Sequence, residues 1–318
     1  MTEELITEEI SIEEMFHRIP EDYIPNFDKR PASYSSLKHF DVTPLHFLHY
    51  LTAPRKKSPQ MLLGSVVDCM ILTPDDFDSM FYFAPKDAPK RPTVAQIGAK
   101  YMTPGTKEYD AGKAKDVLDR LEWWNKFEKS CEGKLFVDDI THEKAKRMKE
   151  ACDKSELAQD LLSKVLQTQE TIYFTHPETG IRCVVKMDGR GDGLVMDLKT
   201  AASPAPDDYS RSAFDLRYDI QCGISLKAME VVHFSKSYNT KFAHLILESV
   251  APFTVDVRYA DDNFKKVGLG EYDRLMSELK FCKEENLWRT GFEFKRFFDK
   301  TGTLSLPGYA FKLIDKYK

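Results

Sequence analysis

The sequence has few features of zinc-binding, membrane-spanning or secreted proteins. Its six cysteines include no pair at CxxC spacing, which argues against a zinc or iron–sulfur site and predicts reduced, half-buried thiols. No uninterrupted apolar run approaches the ~20 residues that a membrane helix needs. The N-terminal MTEELITEEI has neither a basic start nor an apolar core. We therefore expect a cytoplasmic protein without a secretion signal and without membrane association.

Acidic residues slightly outnumber basic ones, and the charge is unevenly distributed along the chain. The formal net charge of the 318 residues is -5, which argues mildly against nucleic-acid binding. Residues 1–22 hold eight acids and one arginine, however, whereas residues 86–115 hold seven lysines or arginines and three acids. A local basic patch matters more for phosphate contact than the total charge does. The first candidates for such contacts are Arg91, Lys113, Arg55 and Lys56, and a solvated surface loop remains the plain alternative for each.

Pattern changes along the chain predict an acidic tail over residues 1–30 and one domain over 31–318. Residues 31–168 read as helices, including one that Thr43-Pro44 opens and two longer ones at 109–131 and 141–167. The segment from Gln60 to Leu72 is apolar at helical spacing around Gly64 and Asp68. Residues 169–260 form the sheet core, and 261–318 supply a C-terminal helix and tail.

The sheet core alternates with a period of two residues. ETIYFTH, IRCVVKMDG and GLVMDLKT are three strand candidates separated by turn sequences. A helix at 215–232 then precedes two further strands. A parallel partner for one of the first three strands would need such a crossover helix. The order predicts an α/β fold with a central mixed β-sheet flanked by helices.

The motif that carries chemistry is VVKMDGRGDGLVMDLKT, residues 184–200. It places Asp188, Asp197 and Lys199 in the order D-x8-D-x-K on two strands joined by a glycine-rich turn. Residues two apart on a strand share one face, so Lys199 lies on the same face as Asp197. Two carboxylates at the ends of paired strands can share a divalent cation, and the Leu198 carbonyl is a natural further ligand. This combination suits metal-assisted phosphodiester hydrolysis.

The alternative is that Asp188 and Asp192 are turn acids and that Asp197 and Lys199 form a surface ion pair. The surrounding sequence favours the metal site, because Asp197 interrupts an otherwise apolar strand. Asp68 likewise interrupts an apolar helix, where an acid is costly unless something pairs with it.

The chain resembles a known family over roughly residues 33–260. The segments LLGSVVDCMILTPDDF, ETIYFTHPETGIRCVVKMDGRGDGLVMDLKTAASP and YDIQCGISL together look like the RecB-like branch of the PD-(D/E)XK nucleases, most of all the RecE-type, exonuclease VIII-like group. The resemblance implies a PD-(D/E)XK fold with helical N-terminal additions. It also implies a processive 5′→3′ exonuclease on double-stranded DNA that leaves 3′ single-stranded tails for recombination.

The resemblance assigns roles to individual residues. Asp188 and Asp197 would bind Mg²⁺ or Mn²⁺, and Lys199 would be the motif lysine. Gln221 looks like the family's Q motif, with Tyr218 one turn before it, and Glu170 matches an acidic position near the first strand. Asp68 is a departure, because relatives usually carry a histidine metal ligand there. An aspartate can still ligate Mg²⁺, so Asp68 is predicted to be a ligand.

Relatives also suggest partners and competing functions. By analogy we expect a homo-oligomeric ring around duplex DNA ends and a RecT-like single-strand annealing protein. A second enzymatic alternative is a CRISPR-associated or helicase-linked RecB-like nuclease. Those relatives often carry four cysteines for an iron–sulfur cluster, three of them near the C-terminus, where this chain has only Cys282, so this alternative ranks low and no cluster is expected. A catalytically silent DNA-binding or assembly protein with the same fold is the non-enzymatic alternative.

Overall fold

The structure, a computed structural model, describes residues 17–54, 57–234 and 239–298. Its centre is a five-stranded mixed sheet with helices on both faces. Most of the predicted acidic tail, and Arg55 and Lys56, lie outside the described residues. None of the described helices is long and apolar enough to cross a membrane.

The chain up to the sheet is mainly helical, as the sequence predicts. The helices are α1 Tyr34–Phe40, α2 Pro44–Thr52, α3 Pro59–Leu72, α4 Phe77–Met80, α5 Val94–Ile97, α6 Ala111–Ser130, α7 Asp139–Lys154 and α8 Glu156–Leu162. Two short strands, β1 Phe81–Tyr82 and β2 Leu135–Phe136, pair in parallel beside them. Ser33, Thr43 and Ser58 cap α1, α2 and α3 by accepting a backbone N–H with their hydroxyl groups.

The prediction of one helix over 141–167 is wrong. Ser155 separates α7 from α8 with extended backbone angles (φ −83°, ψ 112°), and its hydroxyl accepts the Ala158 N–H as the cap of α8. The next strand already begins at Gln167. Helical periodicity continues across the break because both helices bury apolar residues against the same cluster.

The main sheet follows the predicted strand order. Its strands are β3 Gln167–Thr175, β4 Arg182–Gly191, β5 Leu194–Ala201, β6 Lys241–Glu248 and β7 Val255–Tyr259. The first three form an antiparallel meander, β5 pairs with β6 in parallel, and β7 is antiparallel to β6. The parallel step is spanned by α9 Pro206–Asp215 and α10 Tyr218–His233, which confirms the predicted crossover.

Two apolar layers enclose this sheet. On β5, Leu194, Met196 and Leu198 pack into a cluster with α3 and α7. Val195 faces a second cluster that contains α10 and the last long helix, α11 Asp262–Glu284. A 3₁₀ turn at Phe292–Phe297 completes the described chain. The six cysteines are free thiols, as the sequence predicts, but five of them are fully buried rather than half-buried, and Cys131 has intermediate exposure.

Close packing against α11 fixes the position of α10. A Cβ atom on Gly223 would collide with the Gly268 carbonyl, and one on Gly268 would collide with the Asp219 carbonyl. At the start of α10, Arg217 has a left-handed backbone (φ 61°) and its guanidinium pairs with Asp41 and with Glu271. The glycines and this ion-pair network hold α10 in one place, and α10 carries Gln221.

Candidate active site

The carboxylate of Asp188 lies where two strands of the sheet separate. Pairing between β4 and β5 runs from Gly191 and Leu194 to Gly189 and Met196, and stops there. Just beyond this last pair, the Asp188 side-chain oxygen Oδ2 accepts a hydrogen bond from the Leu198 backbone N–H at 2.9 Å. The side chain thus takes a hydrogen bond in the region where regular strand pairing has ended. This places Asp188 beside the segment that carries Asp197, as the motif predicts.

Asp197 and Lys199 form a buried ion pair that Gln221 completes. Lys199 Nζ lies 2.6 Å from Asp197 Oδ2 and donates to Gln221 Oε1 at 2.9 Å. Gln221 Nε2 donates to Asp197 Oδ1 at 2.6 Å. The ammonium group also lies 4.1 Å from the centre of the Tyr218 ring, a cation–π contact. The structure therefore brings together four of the predicted residues, with Asp197 only 5% exposed.

Asp68 faces this group from α3. The helix packs against β4 and β5, and a Cβ on Gly64 would be 3.6 Å from Thr200 Oγ1. Asp68 Oδ2 accepts from Gln169 Nε2 at 2.8 Å, while Oδ1 is buried without a hydrogen-bond partner. Burial raises the pKa of Asp68 to about 6, against the opposing charge of Lys186. The negative charge of Asp197 adds to this rise in pKa, so the two carboxylates lie close enough to repel each other.

The same repulsion acts on Asp188. Its pKa is raised well above the ordinary range, first by burial and then by the charges of Asp197 and Asp68. Burial alone would lower the pKa of Lys199, but the charge of Asp197 and contact with Tyr218 outweigh burial and raise it. Lys199 is thus held as an ammonium ion, and the three carboxyl groups repel one another when they are ionised. A cation bound by them would relieve the repulsion.

The donor atoms fit a hard divalent cation. Asp68 Oδ1 is a buried oxygen without a hydrogen-bond partner, and Asp197 Oδ2 is a buried oxygen that lies 2.6 Å from the Lys199 ammonium. Carboxylate oxygens are the ligands that Mg²⁺ and Mn²⁺ prefer. Within the described residues, no three His, Cys, Asp or Glu side chains are grouped closely enough to hold a metal as they stand. The side chains of Gln221 and Lys199 already contact the Asp197 carboxylate, so a cation could bind this carboxylate only if those side chains moved away.

Glu170 does not join the group. Its carboxylate pairs with Arg190, and His233 Nε2 lies 3.8 Å away on the other side. No contact joins Glu170 to Asp188, Asp197 or Lys199 in the described structure, so its predicted catalytic role has no geometric support. The cause is local: Gln169, with φ 53°, interrupts the pairing of β3 with β4, and Gln169 reaches Asp68 instead.

Gln169 and His244 are the site residues that sequence reasoning missed. No signal marks Gln169, because its role depends on an irregular backbone angle. His244 pairs with Asp197 across β5 and β6, and its Nε2 lies 4.0 Å from Asp197 Oδ2 while Tyr209 binds Nδ1 at 2.9 Å. Burial lowers the pKa of His244 to about 4, so the ring is neutral at pH 7. A lone polar residue in the apolar strand KFAHLILE was a usable signal, the same one that marked Asp197.

Two of the predicted DNA contacts, Arg91 and Lys113, lie within the described residues. Arg91 pairs with Glu128 at 2.6 Å and stacks over Trp124, so its charge is already compensated. Lys113, near the start of α6, is exposed and lies 3.5 Å from Asp110. Neither residue contacts the trio in the described structure, and both stay predictions.

The family match agrees with the geometry of the site. Residues 33–293 match the model of a family described as a PDDEXK-like domain of unknown function (DUF3799). The match covers most of the chain, so the chain belongs to this family. Among solved structures, one described as a "Putative exonuclease" from Eubacterium rectale is 15% identical, with 88% of this chain and 91% of that chain covered and a TM-score of 0.49. No curated protein gives a match.

Family membership confirms the predicted PD-(D/E)XK fold and superfamily. It also supports nuclease as the class of activity, since the trio that defines the motif is intact and assembled. The family description does not specify a RecE-type enzyme, a substrate or a metal.

Proposed function

We propose that this protein is a RecE-like, metal-dependent exodeoxyribonuclease that degrades double-stranded DNA from its ends. The polarity would be 5′→3′, leaving 3′ single-stranded tails for recombination by strand annealing. The observation that supports this most is the assembly of Asp188, Asp197 and Lys199 at the point where β4 and β5 separate, with Gln221 bridging Asp197 and Lys199.

Each residue has a task in that reaction. Asp68, Asp188, Asp197 and the Leu198 carbonyl would hold Mg²⁺ or Mn²⁺, which supplies Lewis acidity and a water of lowered pKa. Lys199 is a fixed ammonium that orients the attacking water and balances carboxylate charge. Gln221 holds both Lys199 and Asp197, so it sets their spacing. Tyr218 shields the ammonium on its ring face.

The resemblance to RecE-type enzymes extends the proposal to the protein's surroundings. A homo-oligomeric ring would keep the duplex inside and make degradation processive. A RecT-like annealing protein would receive the 3′ tail in the cytoplasm. These parts rest on analogy alone.

The first test uses linear duplexes labelled at either the 5′ or the 3′ end, with Mg²⁺ or Mn²⁺. We expect early release of labelled mononucleotide only from the 5′-labelled duplex, together with a growing single-stranded product. A covalently closed circular duplex of the same sequence serves as the control and should remain intact.

Each contrary result removes a defined part of the proposal. Cleavage of the closed circle would replace the exonuclease with an endonuclease. Release of the 3′ label first would reverse the polarity. Absence of cleavage on every duplex and single strand, with either metal, would favour the catalytically silent alternative.

A second prediction concerns Asp68. Asp68→His should keep metal-dependent cleavage within about 10-fold of the wild type, because imidazole can replace a carboxylate ligand, with Mn²⁺ favoured over Mg²⁺. Asp68→Ala should lose about 100-fold. Rates with each metal, on variants whose circular dichroism matches the wild type, check both. An inactive, folded Asp68→His beside a fully active Asp68→Ala would show that Asp68 does not contact metal.

A further inference from the structure

Three lysines adjoin the candidate active site without belonging to the trio or to the predicted DNA contacts. They are Lys38 on α1, Lys57 just before α3, and Lys186 on β4. Among the described residues, no carboxylate lies within ion-pairing distance of any of them. Lys38 instead contacts the ring of Tyr34, and Lys57 contacts the hydroxyl of Ser65.

Lys38 is the most unusual of the three because it is half-buried. Its Nζ lies 5.4 Å from the centre of the Tyr34 ring, and that ring lies 6.4 Å from the ring of Tyr218. Lys199 Nζ lies 4.1 Å from the Tyr218 ring. Lys38 and Lys199 are therefore linked through a tyrosine pair, and burial followed by the charge of Lys199 lowers the pKa of Lys38. A partly buried ammonium without a counter-ion is unfavourable until an anion binds it.

Lys57 and Lys186 lie near Asp68. Lys57 Nζ donates to Ser65 Oγ at 2.9 Å, and Ser65 precedes Asp68 by about one turn of α3. Lys186 is exposed and lies two residues before Asp188 on β4. The charges of Lys57 and Lys186 repel each other, and both interact with the charge of Asp68.

We propose that Lys38, Lys57 and Lys186 bind phosphates of the DNA strand that crosses the carboxylate site, Lys38 near Lys199 and the other two near Asp68. The inference rests on the proposed nuclease function and names the surface that holds its substrate. It assigns the principal backbone contacts to these lysines rather than to Arg91, whose guanidinium is already compensated by Glu128. Such contacts are independent of base sequence.

Salt dependence of DNA binding gives the direct test. Binding of a linear duplex is measured over a range of salt concentrations in a chelator, where no metal-dependent cleavage occurs. We expect the triple variant Lys38→Gln, Lys57→Gln, Lys186→Gln to bind at least about 10-fold more weakly. The slope of log K against log salt should become shallower by about 0.9 for each lysine that contacts a phosphate.

Two matched variants make the result specific. Lys129→Gln, Lys154→Gln, Lys283→Gln removes the same charge from exposed lysines on α6, α7 and α11, which supply no residue to the site. We expect it to keep the wild-type slope. Lys38→Arg keeps the charge at the half-buried position and should retain most of the affinity. Thermal melting of each variant separates lost binding from lost folding.

The outcomes separate this inference from the proposed function. Wild-type protein that cleaves DNA, beside a site triple variant whose slope equals that of the control triple variant, would overturn the lysine surface and leave the nuclease intact. Absence of duplex binding by the wild type would overturn the surface as well. Lysine-dependent binding without cleavage under any metal would keep the surface and remove the nuclease.

Discussion

Asp197→Asn is expected to abolish nuclease activity, with a loss of about 10³-fold or more, which corresponds to ~4 kcal/mol in the activation barrier. The substitution keeps the shape of the side chain, and its amide oxygen can still accept the Gln221 N–H that now lies 2.6 Å from Asp197 Oδ1. It removes the negative charge that pairs with Lys199 and that a divalent cation requires. Initial rates on a linear duplex with Mg²⁺ and with Mn²⁺ measure the effect.

The matched control is Asp192→Asn. Asp192 is an exposed acid in the turn between β4 and β5, so the same change of charge occurs five residues away without touching the site. We expect wild-type rates for this variant. A loss of activity in Asp197→Asn is assigned to the site when both variants melt at similar temperatures. Activity of Asp197→Asn within a few-fold of the wild type would remove the metal-site assignment.

Lys199→Ala should also abolish activity, but its effect on stability differs. The lysine neutralises a carboxylate that is only 5% exposed, and its removal leaves that charge buried with Gln221 as the remaining close hydrogen-bond partner. The variant should therefore melt lower in a chelator than Asp197→Asn does. Comparing the two variants separates the chemical role of the pair from its structural role.

Asp188→Asn is expected to stabilise the metal-free protein and to remove its stabilisation by metal. The raised pKa of Asp188 shows that its ionised form is unfavourable in the fold, because of burial and the charges of Asp197 and Asp68. The asparagine oxygen can still accept the Leu198 N–H, so the substitution removes mainly repulsion. In a chelator at neutral pH, the melting temperature should equal or exceed that of the wild type.

Added Mn²⁺ should then reverse the order of the two proteins. A ligand at about 100 times its dissociation constant stabilises the folded state by ~2.7 kcal/mol, or about 5 °C for a domain of this size. We expect that increase for the wild type and for Asp192→Asn, and little or none for Asp188→Asn. Scanning calorimetry measures it without any substrate. An equal increase in Asp188→Asn would show that this carboxylate does not bind the ion.

Much of the site could be predicted from the sequence because its residues interrupt the local pattern of apolar residues. Asp197 interrupts an apolar strand, and an acid at such a position is retained only where a partner compensates its burial; the structure provides Lys199 and Gln221. The glycine-rich turn fixes the distance between Asp188 and Asp197 along a hairpin. Period-two alternation likewise predicts β3, β4 and β5, and the need for a crossover predicts the helix that carries Gln221.

The roles of residues that depend on irregular backbone could not be predicted from the sequence. Glu170 was the predicted acid of β3, but the positive φ of its neighbour Gln169 disrupts the strand pairing at that point. Glu170 consequently pairs with Arg190, and Gln169 reaches Asp68. Nothing in the letters QTQETIYFT indicates that change, since the strain is tolerated only where the surrounding fold enforces it.

The sequence by itself determined the order of helices and strands and the spacing of the D-x8-D-x-K motif, because both follow from local periodicity. Only the tertiary structure decided which charges meet. Asp68, Lys38 and His244 are far from the motif along the chain, and they reach it because α3, α1 and β6 pack around the point where β4 and β5 separate. Electrostatic interactions act through space, so their partners are set by packing rather than by position in the sequence.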